Sequence, residues 1–431
     1  MSVHEISARS KQAFYTLSAS DLIVRNHFLL NLAEELIRNK NEIFSANQSD
    51  FVRAKEEGLS APLLKRLIFD ENKLLQIQDS LHSLALLPDP LNKTVFCHEI
   101  SPGLKLYRVT CAIGVIGIIF ESRPDALIQI ASLAIKSGNS ALLKGGHEAA
   151  ETNQQLILSI QSALKKSGLP VDSAQLLHSR EDVNEMLKEE RNIDLLIPRG
   201  SNQFVRYLMN NTHIPVLGHS DGICHVYVDS EAKMETALKV ALDSKIQNLS
   251  VCNAEETLLV HEAIAQEFIP RFEQLLKENH VEIRGDGKTR EIINCKKASE
   301  EDWATEYLDA ILSIRVVNSL QQAIDHINLY GSHHTDCIIT ENSQNASIFM
   351  NEVDSSSVYQ NVSTRFADGF VYGFGAEVGI ATGKLHARGP MGLDGLVTYK
   401  YKLIGHGQTM AEVKSGKIQY THKVISENCP L

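Results

Sequence analysis

The feature that most constrains the fold is a regular alternation of strand-like and helix-like segments over residues 104–228. Short apolar runs such as "AIGVIGIIF" (112–120) are separated by longer segments with helical spacing, such as "ALIQIASLAIKSG" (126–138), which Gly138 closes. Strands that are separated by helices of this length pair in parallel through crossover connections. The alternation therefore predicts an α/β domain built on a parallel sheet.

Other parts of the chain have different patterns. The residues before Pro88-Asp-Pro90 have helical spacing, with Ser20 as the expected N-cap of a helix that starts at Asp21. A second α/β section begins near Ser230, and "GLVTYKYKLIGHGQ" (395–408) has the pattern of a long β-hairpin arm. We expect four regions: 1–228 with an arm strand inserted near 98–111, then 229–395, 396–417 and 418–431.

Length, charge and cysteine content exclude several classes of protein. A chain of 431 residues is too long for one compact core, and a net charge of −11 argues against a broad nucleic-acid surface. The longest apolar run, 112–120, is about half the length needed to span a bilayer, so no membrane association is expected. Seven cysteines without a CxxC pair indicate neither a disulfide framework nor a zinc ribbon, which favours a reducing cytoplasm.

Cys252 differs from the other cysteines in its local sequence. In "NLSVCNAEETLLVH" (248–261) it lies in a loop between a helix and a strand, among small and polar neighbours. A thiolate nucleophile needs access and a polar surrounding, and such a loop offers both. An ordinary surface cysteine fits the same pattern equally well. The histidines of "GSHHTDC" (331–337) are adjacent in an extended segment and so point to opposite faces, and we expect no metal site there.

Four arginines lie beside glycine or proline: Arg123, Arg199, Arg365 and Arg388. Each could be an ordinary surface arginine, but arginines in such loops bind carboxylates and phosphates bidentately. Together they favour an anionic substrate. The glycine-rich segment 365–392 has polar residues throughout, as a loop that lines a site does. No GxGxxG turn follows a predicted strand, so the sheet either binds no dinucleotide or binds one in another geometry.

Five segments together resemble the γ-glutamyl phosphate reductase family, a branch of the aldehyde dehydrogenase superfamily: "GVIGIIFESRPDAL", "SGNSALLKGGHEA", "NLSVCNAEETLLVH", "STRFADGFVYGFGAEVGIATGKLHARGP" and "GLVTYKYKLIGHGQ". The resemblance implies an aldehyde-dehydrogenase-like α/β fold, with two α/β domains on parallel-type sheets and a small β oligomerisation arm. By this resemblance 1–228 is the cofactor-binding domain, 229–395 the catalytic domain, 396–417 the arm and 418–431 a C-terminal tail. That superfamily binds its dinucleotide without GxGxxG.

The resemblance also implies a reaction. The family reduces γ-glutamyl phosphate with NADPH to glutamate 5-semialdehyde and phosphate, the second step of proline biosynthesis from glutamate. Cys252 matches the nucleophile, which forms a thioester. Two groups are expected to stabilise the oxyanion: the backbone N–H of Cys252, and Ser122, which falls where the superfamily has its oxyanion-stabilising side chain. Val216 falls where hydrolytic aldehyde dehydrogenases have a water-activating glutamate, so the resemblance favours a phosphate-linked reductase over a hydrolytic dehydrogenase.

The resemblance assigns further residues to cofactor and substrate. Arg123 and Arg365 are expected to bind the carboxylate and the phosphate of the substrate, in either order. His147 replaces an acidic residue that repels the 2′-phosphate in NAD enzymes, which favours NADP. The expected cofactor-binding residues are Lys144, His147, Gly200, Ser201 and Glu306.

The expected partners follow from the same reasoning. We expect a small-molecule substrate, a homodimer or homotetramer formed through the arm, and transient contact with a separate glutamate 5-kinase, because acyl phosphates are labile. A non-catalytic scaffold of the same fold is the alternative from another class of protein. The presence of Cys252 and of the cofactor positions argues against it.

Overall fold

The computed structural model describes residues 1–121, 123–200, 202–218, 221–374 and 377–431. Five helices open the chain, and the second begins one residue later than the sequence predicted, because Asp21 rather than Ser20 is the N-cap. Apolar residues of four of these helices pack together and against the first sheet, whereas Leu67 of the fourth packs with Ala54 and Ala149. The helices are α1 (Val3–Ser18), α2 (Leu22–Arg38), α3 (Lys40–Glu56), α4 (Ala61–Leu67) and α5 (Glu71–Leu86).

A hairpin and then a parallel sheet follow. The hairpin consists of β1 (Thr94–Ser101) and β2 (Leu104–Ala112), which pair antiparallel. The sheet has the strand order β5-β4-β3-β6, with every pair parallel, as the alternation predicted. Its elements are β3 (Val115–Phe120), α6 (Pro124–Lys136), β4 (Ser140–Lys144), α7 (Ala150–Lys166), β5 (Ala174–Leu177), α8 (Arg180–Met186), β6 (Leu195–Arg199) and α9 (Asn202–Asn210).

The second α/β section forms a larger parallel sheet of seven strands. Its order is β10-β9-β11-β8-β7-β12-β13, and helices lie between most of its strands along the chain. The elements are β7 (Cys224–Val228), α10 (Met234–Ile246), β8 (Glu255–His261), α11 (Glu262–Glu278), β9 (Glu282–Gly285), α12 (Gly287–Ile292), β10 (Lys296–Lys297), β11 (Ile311–Val317), α13 (Leu320–Tyr330), β12 (Thr335–Ile339), α14 (Ser343–Glu352) and β13 (Ser357–Gln360).

A third, antiparallel sheet combines distant parts of the chain in the order β16-β2-β1-β17. The hairpin expected over 396–417 is wrong, because its strand pairs over eight residues with β2 and not with a following strand. Residues 418–431 are not only a tail, since β17 pairs with β1. The remaining elements are β14 (Ile380–Ala381), β15 (Gly389–Pro390), β16 (Val397–Ile404), α15 (Met410–Lys414) and β17 (Lys423–Ile425).

The strand expected in "IPVLGH" (214–219) is reduced to one bridge in the part that the structure describes. Val216 bridges to Leu196, with the Leu196 N–H donating to the Pro215 carbonyl at 2.8 Å. Pro215 has no N–H to donate, so a longer ladder cannot form through it. Within the described ranges, none of the helices has the length and apolar character needed to cross a membrane.

Candidate active site

Cys252 lies in the turn between α10 and β8, half-buried rather than enclosed. Hydrogen bonds to residues 364 and 367 hold this turn in place. The Thr364 hydroxyl donates to the Asn253 carbonyl at 2.7 Å, and the Asn253 side-chain amide donates to the Ala367 carbonyl at 2.9 Å. The position of the thiol therefore depends on the loop that starts the glycine-rich segment.

Gly222 and Cys224, beside the start of β7, complete the packing around this turn. A Cβ at Gly222 would lie 2.1 Å from the Cys252 carbonyl oxygen and 2.5 Å from the Cys252 Cα, so a side chain does not fit there. The Cys224 thiol donates to the same carbonyl at 3.3 Å, and burial raises the pKa of that thiol well above its usual value. Cys224 thus has the character of a buried hydrophobe, whereas Cys252 is partly accessible.

Two arginines from different domains lie within electrostatic range of the Cys252 thiol. Arg199 ends β6 of the first sheet, and burial lowers its pKa while Glu377 and the Cys252 thiolate oppose that shift. Arg365 follows β13, and its pKa is lowered by burial and raised by Cys252 in the same way. The Arg365 Nε donates to the Gln247 side chain at 2.9 Å. A negative charge at Cys252 would therefore interact electrostatically with both guanidinium groups.

A cavity of about 310 Å³ opens between the carboxyl ends of the first sheet and the glycine-rich segment. Arg123, at the N-cap of α6, and Arg199 line it together with four carboxylates, those of Glu121, Asp125, Asp368 and Glu377. Within the described residues, the glycine-rich segment contributes Asp368, Phe370 and Glu377 to this cavity, and its role in a site stays a prediction. The cavity therefore presents both signs of charge.

The residues expected to bind the cofactor lie mostly at the same edge of the first sheet. Lys144 ends β4 and is buried, which lowers its pKa, while Glu148 and Asp182 act in the opposite direction. The His147 side chain is exposed and has carboxylates of Glu57 and Glu148 each 3.4 Å away. The charge argument from the sequence counted position 147 alone and missed these two carboxylates.

Glu306 joins the two α/β domains. Its carboxylate accepts a hydrogen bond from the Asn202 amide of α9 at 2.5 Å, and Asn202 also donates to Asp221 at 3.1 Å. Two residues later, the Leu308 N–H donates to the Glu256 carboxylate at 3.1 Å. The segment that holds Glu306 is thus tied to the strand that follows Cys252.

Some predicted positions cannot be placed or have other partners. Ser122 and Ser201 lie outside the residues that the structure describes. Val216 packs against the apolar core of the first domain, so this position contributes no carboxylate. In "GSHHTDC", Asp336 accepts from the His225 ring at 2.9 Å, and His333 contacts the Asp354 carbonyl.

Sequence reasoning missed two features of the site. Arg199 was recognised only as one of four loop arginines, although its place directly after a buried strand was a usable signal. The buried ion pair of Lys245 and Glu256, with Nζ and Oε2 separated by 2.6 Å, had no signal, because the two residues are on different elements.

The fold and the site define a class: two α/β domains on parallel sheets, with a partly accessible cysteine in the turn before β8, an arrangement that fits a cysteine-dependent dehydrogenase. The model of the aldehyde dehydrogenase family matches residues 1–300, and the chain belongs to that family.

Full-length relatives show to which branch of this family the chain belongs. It is 52% identical over 431 residues to the γ-glutamyl phosphate reductase of Acetivibrio thermocellus, covering 100% of both chains. The crystal structure of γ-glutamyl phosphate reductase from Thermotoga maritima superimposes with a TM-score of 0.93 at 38% identity, covering 95% of this chain and 100% of that one. The chain is therefore a member of the γ-glutamyl phosphate reductase branch.

A more distant structure shares the fold alone. An engineered glycolyl-CoA reductase with bound NADP+ is 15% identical, with a TM-score of 0.65 over 93% of this chain and 96% of that one. The predicted family and fold class are confirmed by these comparisons.

Proposed function

We propose that this chain reduces γ-glutamyl phosphate to glutamate 5-semialdehyde and phosphate with NADPH, the second step of proline biosynthesis from glutamate. The observation that carries the proposal is the half-buried Cys252, which interacts electrostatically with Arg199 and Arg365, in a chain whose full-length relatives are γ-glutamyl phosphate reductases. An acyl phosphate is an activated carbonyl with a dianionic leaving group, and this arrangement supplies a nucleophile and cations for it.

The covalent step uses Cys252. Its thiolate attacks the γ-carbonyl carbon, a C–S bond forms, the C–O bond to phosphate breaks, and the electron pair leaves with the phosphate. The thioester that remains is on Cys252. The backbone N–H of Cys252 and the hydroxyl of Ser122 are the proposed donors to the oxyanion, each contributing on the order of 3 kcal/mol.

The residues at the edge of the first sheet fit a dinucleotide. Lys144 offers a buried ammonium group, and the Gly145-Gly146 turn after it has no room for side chains, since a Cβ at Gly145 would lie 2.2 Å from the Asn153 amide nitrogen. When bound, the nicotinamide supplies the hydride that reduces the thioester. Lys144, His147, Gly200, Ser201 and Glu306 are the proposed cofactor-binding residues.

The preference for NADPH depends on the charges around the adenosine ribose. Because Glu57 and Glu148 offset His147, the proposed preference depends mainly on Lys144 and on Arg180, whose charge acts on Lys144. Arg180 begins α8, three residues after β5 ends at Leu177, and Lys144 is the register partner of Leu177.

On the substrate side, Arg123 and Arg365 are the proposed ligands of the carboxylate and the phosphate. The apolar Val216 in place of a base leaves the thioester slow to hydrolyse, which favours phosphate over water as the partner in the reverse reaction. We further propose a cytoplasmic homodimer or homotetramer formed through the antiparallel sheet, in transient contact with a separate glutamate 5-kinase that delivers the labile acyl phosphate.

The reaction is tested in reverse. Glutamate 5-semialdehyde is oxidised in the presence of NADP or NAD, with and without inorganic phosphate, by the wild type and by Cys252→Ala. We expect phosphate-dependent formation of NADPH that is lost in Cys252→Ala and retained in the matched variant Cys429→Ala, which changes a cysteine of the C-terminal segment.

Oxidation by the wild type without phosphate would contradict the reductase assignment. Equal turnover with NAD and NADP would contradict the cofactor preference. Full activity of Cys252→Ala would contradict the role of that cysteine.

A further inference from the structure

Two side chains, those of Asn253 and Thr364, make reciprocal hydrogen bonds between the Cys252 turn and residues 363–367. The Thr364 hydroxyl donates to the backbone carbonyl of Asn253 at 2.7 Å, and the Asn253 side-chain amide donates to the backbone carbonyl of Ala367 at 2.9 Å. Thr364 is inaccessible to solvent, and Asn253 is nearly so. Each segment therefore holds the backbone of the other, and we call these two bonds the clasp.

Residues 363–367 are also fixed to the helix that precedes Cys252. The Ser244 hydroxyl of α10 accepts from the Thr364 N–H at 3.2 Å and donates to the Ser363 hydroxyl at 3.3 Å. The side chains of Ser244 and Ser363 are both buried. The backbone of Thr364 is thus held independently of the clasp, so loss of its hydroxyl removes the bond to the Cys252 turn and leaves the bonds to α10 in place.

The clasp has the nucleophile on one side and the wall of the cavity on the other. Asn253 directly follows Cys252, so a rotation of the peptide group between them moves the Cys252 backbone. Ala367 directly precedes Asp368, which lines the 310 Å³ cavity and whose carboxylate accepts from the Phe370 N–H at 2.9 Å. The clasp therefore links the turn that carries the thiol to the loop that lines the cavity.

We propose that Asn253 and Thr364 are positioning residues, which act as one unit and set the Cys252 sulfur relative to the cavity-lining loop. The inference rests on the proposed function and deepens it, because it takes Cys252 as the nucleophile and the cavity as part of the substrate site. A displaced nucleophile reacts slowly with a substrate that is still bound, so loss of the clasp lowers kcat rather than raising KM. A clasp that only stabilises the fold would leave kcat unchanged.

The experiment compares variants of the clasp with a matched control. Thr364→Val removes the hydroxyl and keeps the shape of the side chain, Thr364→Ser keeps the hydroxyl, and Asn253→Ala removes the amide. The control is Thr289→Val on α12, since Thr289 is also fully buried and its hydroxyl donates to a backbone carbonyl, that of Ile314, at 3.2 Å. Both Thr→Val variants thus lose one hydrogen bond of the same kind, but only one of these bonds belongs to the clasp.

Three properties of each full-length variant are measured. The reverse assay gives kcat and the KM values for semialdehyde and phosphate. Alkylation by iodoacetamide in the absence of substrate, quantified by mass spectrometry, gives the rate constant at Cys252 relative to that at Cys429 in the same sample. Urea unfolding gives the free energy of unfolding, which separates a loss of stability from a loss of position.

We expect Thr364→Val and Asn253→Ala each to lower kcat by about tenfold or more and to leave both KM values within about threefold of the wild type. The variant Asn253→Ala/Thr364→Val should be at most about threefold slower than the slower single variant, because reciprocal bonds are lost together. The alkylation ratio should rise in the same variants, because the turn that carries the thiol is released.

The other two variants should behave like the wild type. Thr364→Ser keeps the donor to the Asn253 carbonyl and should retain most of kcat. Thr289→Val should have the wild-type kcat and alkylation ratio, although it loses stability as Thr364→Val does.

Failure of this inference and failure of the proposed function are distinguishable. If wild-type oxidation does not depend on phosphate, the proposed function is wrong, and the alkylation ratios still test the clasp. If Thr364→Val has the kcat and alkylation ratio of Thr289→Val, the clasp only stabilises the fold and the inference is wrong. Asn253→Ala gives the same comparison if Thr364→Val does not fold. If the effects of the two single variants on kcat multiply in the double variant, the two residues do not act as one unit.

Discussion

The two parallel sheets of this protein contribute opposite ends to one site. The first sheet presents the carboxyl ends of its strands, where Lys144 and Arg199 follow apolar interiors. The seven-stranded sheet, which belongs to the proposed catalytic domain and is here called the catalytic sheet, presents the amino ends, because Gly222 precedes β7 and Cys252 precedes β8. Carboxyl ends are the usual ligand-binding edge of a parallel sheet, so the catalytic domain departs from the common arrangement.

The two sheets also differ in what they bury. Strand β3 of the first sheet is fully buried and apolar throughout. In the catalytic sheet, the first residues of β8 are Glu255, Glu256 and Thr257, and all three side chains are inaccessible. The Lys245–Glu256 pair and the His225–Asp336 contact are also fully buried in this domain.

This difference indicates how each domain positions its part of the site. The first domain holds its arginine and lysine at the ends of strands that apolar packing makes rigid. The catalytic domain holds the Cys252 turn through directional bonds to buried polar groups, which specify one geometry but are costly when a partner is lost.

The largest effect is expected from breaking the buried ion pair. Lys245→Met leaves Glu256 buried without its cation and should destabilise the catalytic domain by about 3–5 kcal/mol. The free energy of unfolding is measured at pH 8 by urea unfolding, followed by the fluorescence of Trp303, the single tryptophan. The double variant Lys245→Met/Glu256→Leu should recover most of the stability, and a double variant as unstable as the single one would contradict this account.

The next effect concerns the geometry of the thiol. Gly222→Ala places a methyl group 2.1 Å from the Cys252 carbonyl, so the turn must move. A shift of about 1 Å at a reacting group costs on the order of 100-fold in kcat. Gly287→Ala is the control, since a Cβ there has nothing within 4 Å. Steady-state kinetics measure kcat of both variants. An unchanged kcat in Gly222→Ala would contradict the expected displacement of the Cys252 turn.

A smaller effect is expected in the pH dependence of stability. Burial raises the pKa of Glu255 well above its usual 4.5, so the native state keeps a proton that the unfolded chain loses. As pH rises above 4.5, this group lowers the free energy of unfolding by up to about 1.4 kcal/mol per pH unit, until pH passes the native pKa.

Glu255→Gln removes this titration and should flatten the slope. Urea midpoints between pH 5.5 and 8.5 compare it with wild type and with the exposed control Glu267→Gln. A slope equal to that of the wild type would mean that Glu255 is ionised in the native state.

The smallest effect is expected where the two domains are alike. Ile118→Val in β3 and Ile314→Val in β11 each remove one methylene from a fully packed apolar core. Each should cost about 1 kcal/mol and leave both KM values unchanged. Thermal unfolding and the reverse assay measure this, and a large loss in only one domain would show that the apolar cores differ too.

The architecture was accessible from sequence because it depends on local patterns. The alternation over 104–228 predicted a parallel sheet, and β3 to β6 form it. The predicted boundary after residue 228 is wrong by one strand, because β7 (Cys224–Val228) belongs to the second sheet, and β2 belongs to the antiparallel one. The arm was not accessible, because β16 finds its partner β2 almost 300 residues earlier and its own sequence fits a hairpin equally well. The "IPVLGH" strand was wrong for a local reason, the missing N–H of Pro215.

For the site, the sequence by itself determined the chemical inventory: a cysteine in a turn, arginines after strands, and family motifs that indicate an acyl-phosphate reductase. The tertiary structure alone decided which of these groups meet. It brought the charges of Arg199 and Arg365 to act on Cys252, placed Glu57 and Glu148 against His147, and paired Lys245 with Glu256. The physical reason is that local propensity acts over a few residues, whereas electrostatic interactions and burial depend on distances that only the packed chain defines.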